Sequence, residues 1–72
     1  MKLPRGISGA DVIRALERVD FAILRQEGSH VRLGRGAVRV TVPLHVAVAP
    51  GTLKAILRQS GMTLAEFIEA IR

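Results

Sequence analysis

Apolar residues recur along this chain in two rhythms. Val12, Ala15, Leu16 and Val19 return at intervals of three and four, with Arg14, Glu17 and Arg18 on the other side, and predict an amphipathic helix over about residues 9–19. Ser8-Gly9-Ala10-Asp11 reads as the capping box of that helix, with Ile7 and Val12 placed as its hydrophobic staple. From Phe21 the rhythm changes. Phe21 to Glu27 is a strand-length run, Gly28-Ser29 is a two-residue hairpin turn, and Val31-Arg32-Leu33 alternates behind it. Gly34-Arg35-Gly36 reads as a second turn. Val38, Val40 and Val42 then alternate with Arg39 and Thr41 until Pro43 stops the strand.

Pro43 to Pro50 is a connector, although its apolar middle, Val46-Ala47-Val48-Ala49, also suits a short strand. Gly51-Thr52 opens a helix carrying Leu53, Ile56 and Leu57, and Gly61 is its left-handed cap. Thr63-Leu64-Ala65-Glu66 is a second capping box, stapled by Met62 and Phe67, and Leu64, Phe67, Ile68 and Ile71 form the last apolar stripe. The order is helix, three strands, helix, helix. Helices that share one apolar side must pack on one face of the antiparallel meander, which predicts a single two-layer α+β domain over residues 1–72 with an open sheet face.

The turns predict what that face carries. A two-residue turn at Gly28-Ser29 sets Glu27 opposite His30 and Arg25 opposite Arg32. A second at Arg35-Gly36 sets Leu33 opposite Val38, Arg32 opposite Arg39, Val31 opposite Val40 and His30 opposite Thr41. Leu24, Val31, Leu33, Val38 and Val40 then point inward. Glu27, His30 and Thr41 make one outward row, and Arg25, Arg32 and Arg39 the next. Phe21 and Ile23 fall on the arginine side, so the strand either begins after them or contains a bulge.

Composition narrows the partners. Eleven Lys and Arg against six Asp and Glu leave a formal net charge of +5, which favours a polyanion, with a merely basic surface as the plainer reading. Tyrosine and tryptophan are absent, which argues against a base-stacking platform. Without cysteine there is neither a disulfide nor a thiolate metal site, and a reducing, cytoplasmic setting fits. Met1 to Gly6 has a basic start but no apolar run behind it, so neither a signal peptide nor a membrane span is expected.

The outward rows suggest chemistry at His30. An imidazole takes and returns a proton near neutral pH, and beside cations it suits RNA cleavage through the 2′-hydroxyl. Arginines abreast repel, and an anion relieves them; the guanidinium fork matches a phosphate, so Arg25, Arg32 and Arg39 form a candidate phosphodiester site. The plainer reading is an exposed histidine on a solvated face whose arginines lean apart. Glu27 and Thr41 are candidate helpers beside His30. His45 is either a second proton carrier or a loop residue. No known ligand spacing links His30, His45 and Glu27, so no metal or other cofactor is expected. Lys54, with Arg58 four residues on, follows the helix start at Gly51-Thr52 and could hold a second phosphate or simply face water.

Three blocks, Arg25-Gln26-Glu27-Gly28-Ser29-His30, Val40-Thr41-Val42-Pro43-Leu44-His45 and Gly51 to Gly61, followed by Glu66-Phe67, give the chain a family likeness. It resembles the HicA-like mRNA interferase toxins of toxin-antitoxin modules. The resemblance implies a fold like the double-stranded RNA-binding domain, metal-independent cleavage of mRNA, neutralisation by a HicB-like antitoxin, and His30 as the catalytic residue. A non-catalytic RNA-binding module of the same shape is the alternative. Departures from the family pattern are Asp20 where a glycine usually precedes the phenylalanine, Val31 where an aromatic is common, a short second hairpin, and the apolar Val46 to Ala49.

Overall fold

The computed structural model describes residues 3–72; the reading of the first residues rests partly on Met1 and Lys2, which lie outside them. Helix α1 runs Gly9–Arg18, strands β1, β2 and β3 run Ala22–Glu27, His30–Arg35 and Val38–Pro43, and helices α2 and α3 run Pro50–Ser60 and Leu64–Ala70. The sheet is an antiparallel meander in the order β1-β2-β3, so the α+β, α-β-β-β-α-α architecture expected from the sequence is the one observed. No helix among the described residues is long and apolar enough to cross a membrane.

Local chemistry sets the helix ends. The Ser8 hydroxyl accepts the Asp11 N–H at 3.1 Å, and the Asp11 carboxylate accepts the Ser8 N–H at 3.2 Å. Thr63 and Glu66 repeat the arrangement at 3.1 and 2.9 Å. Helix α1 closes on Asp20, whose φ of 72° is left-handed, the conformation a glycine adopts at less cost, and Phe21 donates back to the Leu16 carbonyl. Helix α2 begins one residue earlier than the sequence suggests, because Pro50 suits the first helical position, and it closes on Gly61 with φ 74°.

The core lies between the sheet and the helices. Val31, Leu33, Val40 and Val42 bury one sheet face against Val12, Leu16, Leu53, Ile56 and Phe67. Fully burying each such side chain is worth about 1.5–3 kcal/mol relative to exposure. The connector after β3 has no regular structure, so the short-strand alternative is not realised. It is held by the main chain: Gly9 donates to the His45 carbonyl at 2.9 Å, Val48 to Ile7 at 2.7 Å, and Leu44 to Ser29 at 2.6 Å.

The sheet corrects the expected register. Glu27 lies opposite His30 and Arg25 opposite Arg32, as expected. The second hairpin, however, pairs Arg35 with Val38, so Gly34 and Arg35 belong to β2 and the turn is Gly36-Ala37. Only Gly36 of that turn has positive φ, at 58°, matching a turn that places glycine first, as Gly28-Ser29 also does. Arg32 therefore faces Thr41, Arg39 faces Gly34, Leu33 faces Val40, Val31 faces Val42 and His30 faces Pro43. A slip of two residues keeps every side chain on its expected face and changes only its neighbours. Leu24 is a second correction. A bulge between Ile23 and Arg25 turns it outward, and it is half exposed rather than buried.

Candidate functional site

The face of the sheet away from the helices carries most of the residues singled out by sequence. His30 opens β2 at the end of the first hairpin, and its neighbours Glu27, Arg25, Arg32, Thr41 and Arg39 are all exposed. Alternation makes this unavoidable. Burying Val31 and Leu33 sends His30, Arg32 and Gly34 to the other side, and burying Val40 and Val42 does the same for Arg39 and Thr41.

The three arginines do not stand abreast. Arg25 and Arg32 face each other, but their guanidinium groups turn apart, Arg25 to the Glu27 carboxylate at 2.5 Å and Arg32 to the Thr41 hydroxyl at 3.2 Å. Arg39 sits one same-face step further from His30 and donates to the Gly36 and Val38 carbonyls at 2.7 and 2.9 Å. The Arg25–Glu27 pair is about 70% exposed on both sides. Such a pair holds a side chain for at most about 1 kcal/mol, so a phosphate can redirect Arg25 at little cost. Glu27 is thus engaged with Arg25, although its backbone lies opposite His30. Among the described residues the His30 ring makes no protein hydrogen bond, and the residue is exposed.

Two candidates fall elsewhere. Lys54 is exposed on α2, in the helical layer, and does not join the sheet-face group. His45 is exposed in the connector, where its carbonyl rather than its ring anchors the Gly9 N–H. His30, His45 and Glu27 form no group of metal donors among the described residues.

Sequence reasoning missed three residues. Arg35, on the helix-facing side of β2, lies 4.4 Å over the Phe21 ring and donates to the Val19 carbonyl at 2.8 Å and the Ser60 carbonyl at 3.3 Å. It thereby places a cation at the C-terminal ends of α1 and α2, where helix dipoles favour one. Leu24 and Gly34 are the other two, brought together on the open face; a glycine inside a strand pattern was the available signal.

A family model described as the HicA toxin of bacterial toxin-antitoxin systems matches residues 9–62, which includes all three strands, α1 and α2. No curated protein matches the chain. With 54 of its 72 residues inside that match, the chain belongs to the HicA toxin family.

Proposed function

We propose that this toxin is a metal-independent endoribonuclease that cleaves mRNA with His30 as its general acid and base. The observation that carries the reading is the exposure of His30 on the open face, one same-face step from Arg25 and Arg32. The imidazole takes the proton of a ribose 2′-hydroxyl, and the 2′-oxygen attacks the adjacent phosphorus. The bond from phosphorus to the 5′-oxygen breaks, and the imidazolium returns its proton to that oxygen. The products are a 2′,3′-cyclic phosphate and a 5′-hydroxyl. Arg25 and Arg32 offset the charge that develops on the phosphate and Arg39 binds further along; Thr41 orients Arg32, and Glu27 pairs with Arg25 until the phosphate takes it. A HicB-like antitoxin neutralises the toxin by covering the same basic face.

Purified protein is expected to cut single-stranded RNA in EDTA. His30→Ala is expected to abolish cutting while the melting temperature stays within a few degrees, because the side chain is exposed. Cutting by the variant at the wild-type rate would sink the assignment. RNA binding without cutting by the wild-type protein would instead favour a non-catalytic RNA-binding module.

A further inference from the structure

Two irregularities of the sheet meet at one spot. The bulge in β1 turns Leu24, a large apolar residue, onto the face that carries His30, Arg25, Arg32 and Arg39. Directly beside it β2 carries Gly34, a residue that weakens a strand interior unless something must approach the backbone closely. A Cβ on Gly34 would lie 2.8 Å from Leu24 Cδ1 and 2.8 Å from Arg39 Nη1. The missing side chain is therefore what lets a leucine tip and a guanidinium edge lie together across the middle strand. Gly34 lies four positions along β2 from His30, about 13 Å along the strand. That is too far for one phosphate to touch both, and it equals about four nucleotides of stacked strand, fewer if the strand is extended.

We propose that Leu24, Gly34 and Arg39 form a second nucleotide-binding position, remote from the scissile one, in which Arg39 takes a phosphate and Leu24 takes the apolar face of the adjoining ribose or base. The inference rests on the reading of this face as an RNA-binding surface. Arg39 is available for it, since its present partners are two carbonyls of the exposed hairpin and no carboxylate holds it. Gly34 is a positioning residue here: it touches no substrate and sets where the other two lie. The enzyme then measures length, binding an oligomer that spans both positions more tightly than one that fills only the His30 end.

Oligoribonucleotides of two to eight residues, 2′-O-methylated throughout so that they bind without being cut, test this by fluorescence anisotropy. Wild-type affinity is expected to rise about tenfold at a length of three to five nucleotides, the gain of one charge-assisted contact. Arg39→Ala and Gly34→Ala are each expected to remove that step. Arg39→Ala is also expected to reduce the slope of log affinity against log salt by about 0.7. Gly34→Ala meets only two side-chain ends, so its melting temperature is expected to stay within a few degrees. An octamer bound equally by wild type and both variants, a loss equal at every length, or no length step in the wild type would each overturn the proposal. Cutting is scored separately with unmodified RNA: if His30→Ala still cuts, the catalytic assignment fails while the length step stands, and a missing step with His30-dependent cutting fails only the remote position.

Discussion

Gly9 and Gly34 both sit where a Cβ would collide, yet the two collisions differ in kind. At Gly34 the obstacles are the ends of flexible side chains, which can move aside. At Gly9 they are backbone: a Cβ there would lie 2.1 Å from the Pro43 carbonyl oxygen and 2.8 Å from the Leu44 Cα. Gly9 also donates its N–H to His45 and thereby ties the first turn of α1 to the connector that follows β3. Gly9→Ala must push the helix off the strand end, at a cost of about 2–3 kcal/mol. For a chain of this size that lowers the melting temperature by roughly 10–20 °C. A melt within a few degrees of wild type would show that the close approach is not needed. The pair of substitutions separates folding from function, since the same change at Gly34 is expected to cost binding and not stability.

At the scale of elements, the two capping boxes make the helix starts sensitive to acid. The Ser8 backbone N–H, then its hydroxyl, hold the Asp11 carboxyl below its ordinary value of 3.8, with the Arg14 guanidinium adding to them. The Thr63 backbone N–H and hydroxyl do the same for Glu66, below 4.5. Because both values are lower in the folded chain, the folded state binds fewer protons, and the stabilisation is present above the ordinary carboxylate values and lost as pH falls through the folded ones. Melting temperatures measured from pH 7 to pH 2 are expected to fall across that window. The double variant Asp11→Asn, Glu66→Gln is expected to melt a few degrees lower at neutral pH and to lose part of the acid dependence. An unchanged acid limb would mean that other carboxylates dominate it.

These boxes were legible in the sequence because a cap is a local bargain between residues three apart. The faces of the sheet were legible for a similar reason, since alternation alone sends His30, Arg32, Arg39 and Thr41 to one side. What alternation leaves open is sliding by two. Arg35-Gly36 and Gly36-Ala37 are both glycine-containing turns, and choosing between them needs the observation that Gly28-Ser29 already uses glycine in the first position. The bulge at Leu24 was visible only as a conflict, with Phe21 and Ile23 falling on the arginine side. Arg35 was hidden because its partners, the carbonyls of Val19 and Ser60, are 16 and 25 residues away.

Across the whole molecule, the family match ends at Met62, before α3, and yet the core does not. Phe67 of α3 is fully buried among residues of the sheet and the other helices. Arg18 of α1 binds the far end of the same helix, donating to the Ala70 and Arg72 carbonyls at 2.5 and 2.7 Å. A domain of 72 residues has roughly 4–11 kcal/mol of stability in total. Phe67→Ala removes about 3–5 kcal/mol of it, the transfer cost of the ring plus the cavity it leaves. The variant is therefore expected to be partly unfolded at 37 °C and to melt at least about 12 °C below wild type, on the basis of the shift per kcal/mol for a domain this small. Because the open face lies across the sheet from Phe67, RNA cutting in the cold is expected to fall only in proportion to the unfolded fraction read by circular dichroism. A melt close to wild type would show that α3 is an appendage to a core complete at residue 62. A cutting defect larger than the unfolded fraction would show that the helical layer shapes the sheet face instead of merely supporting it.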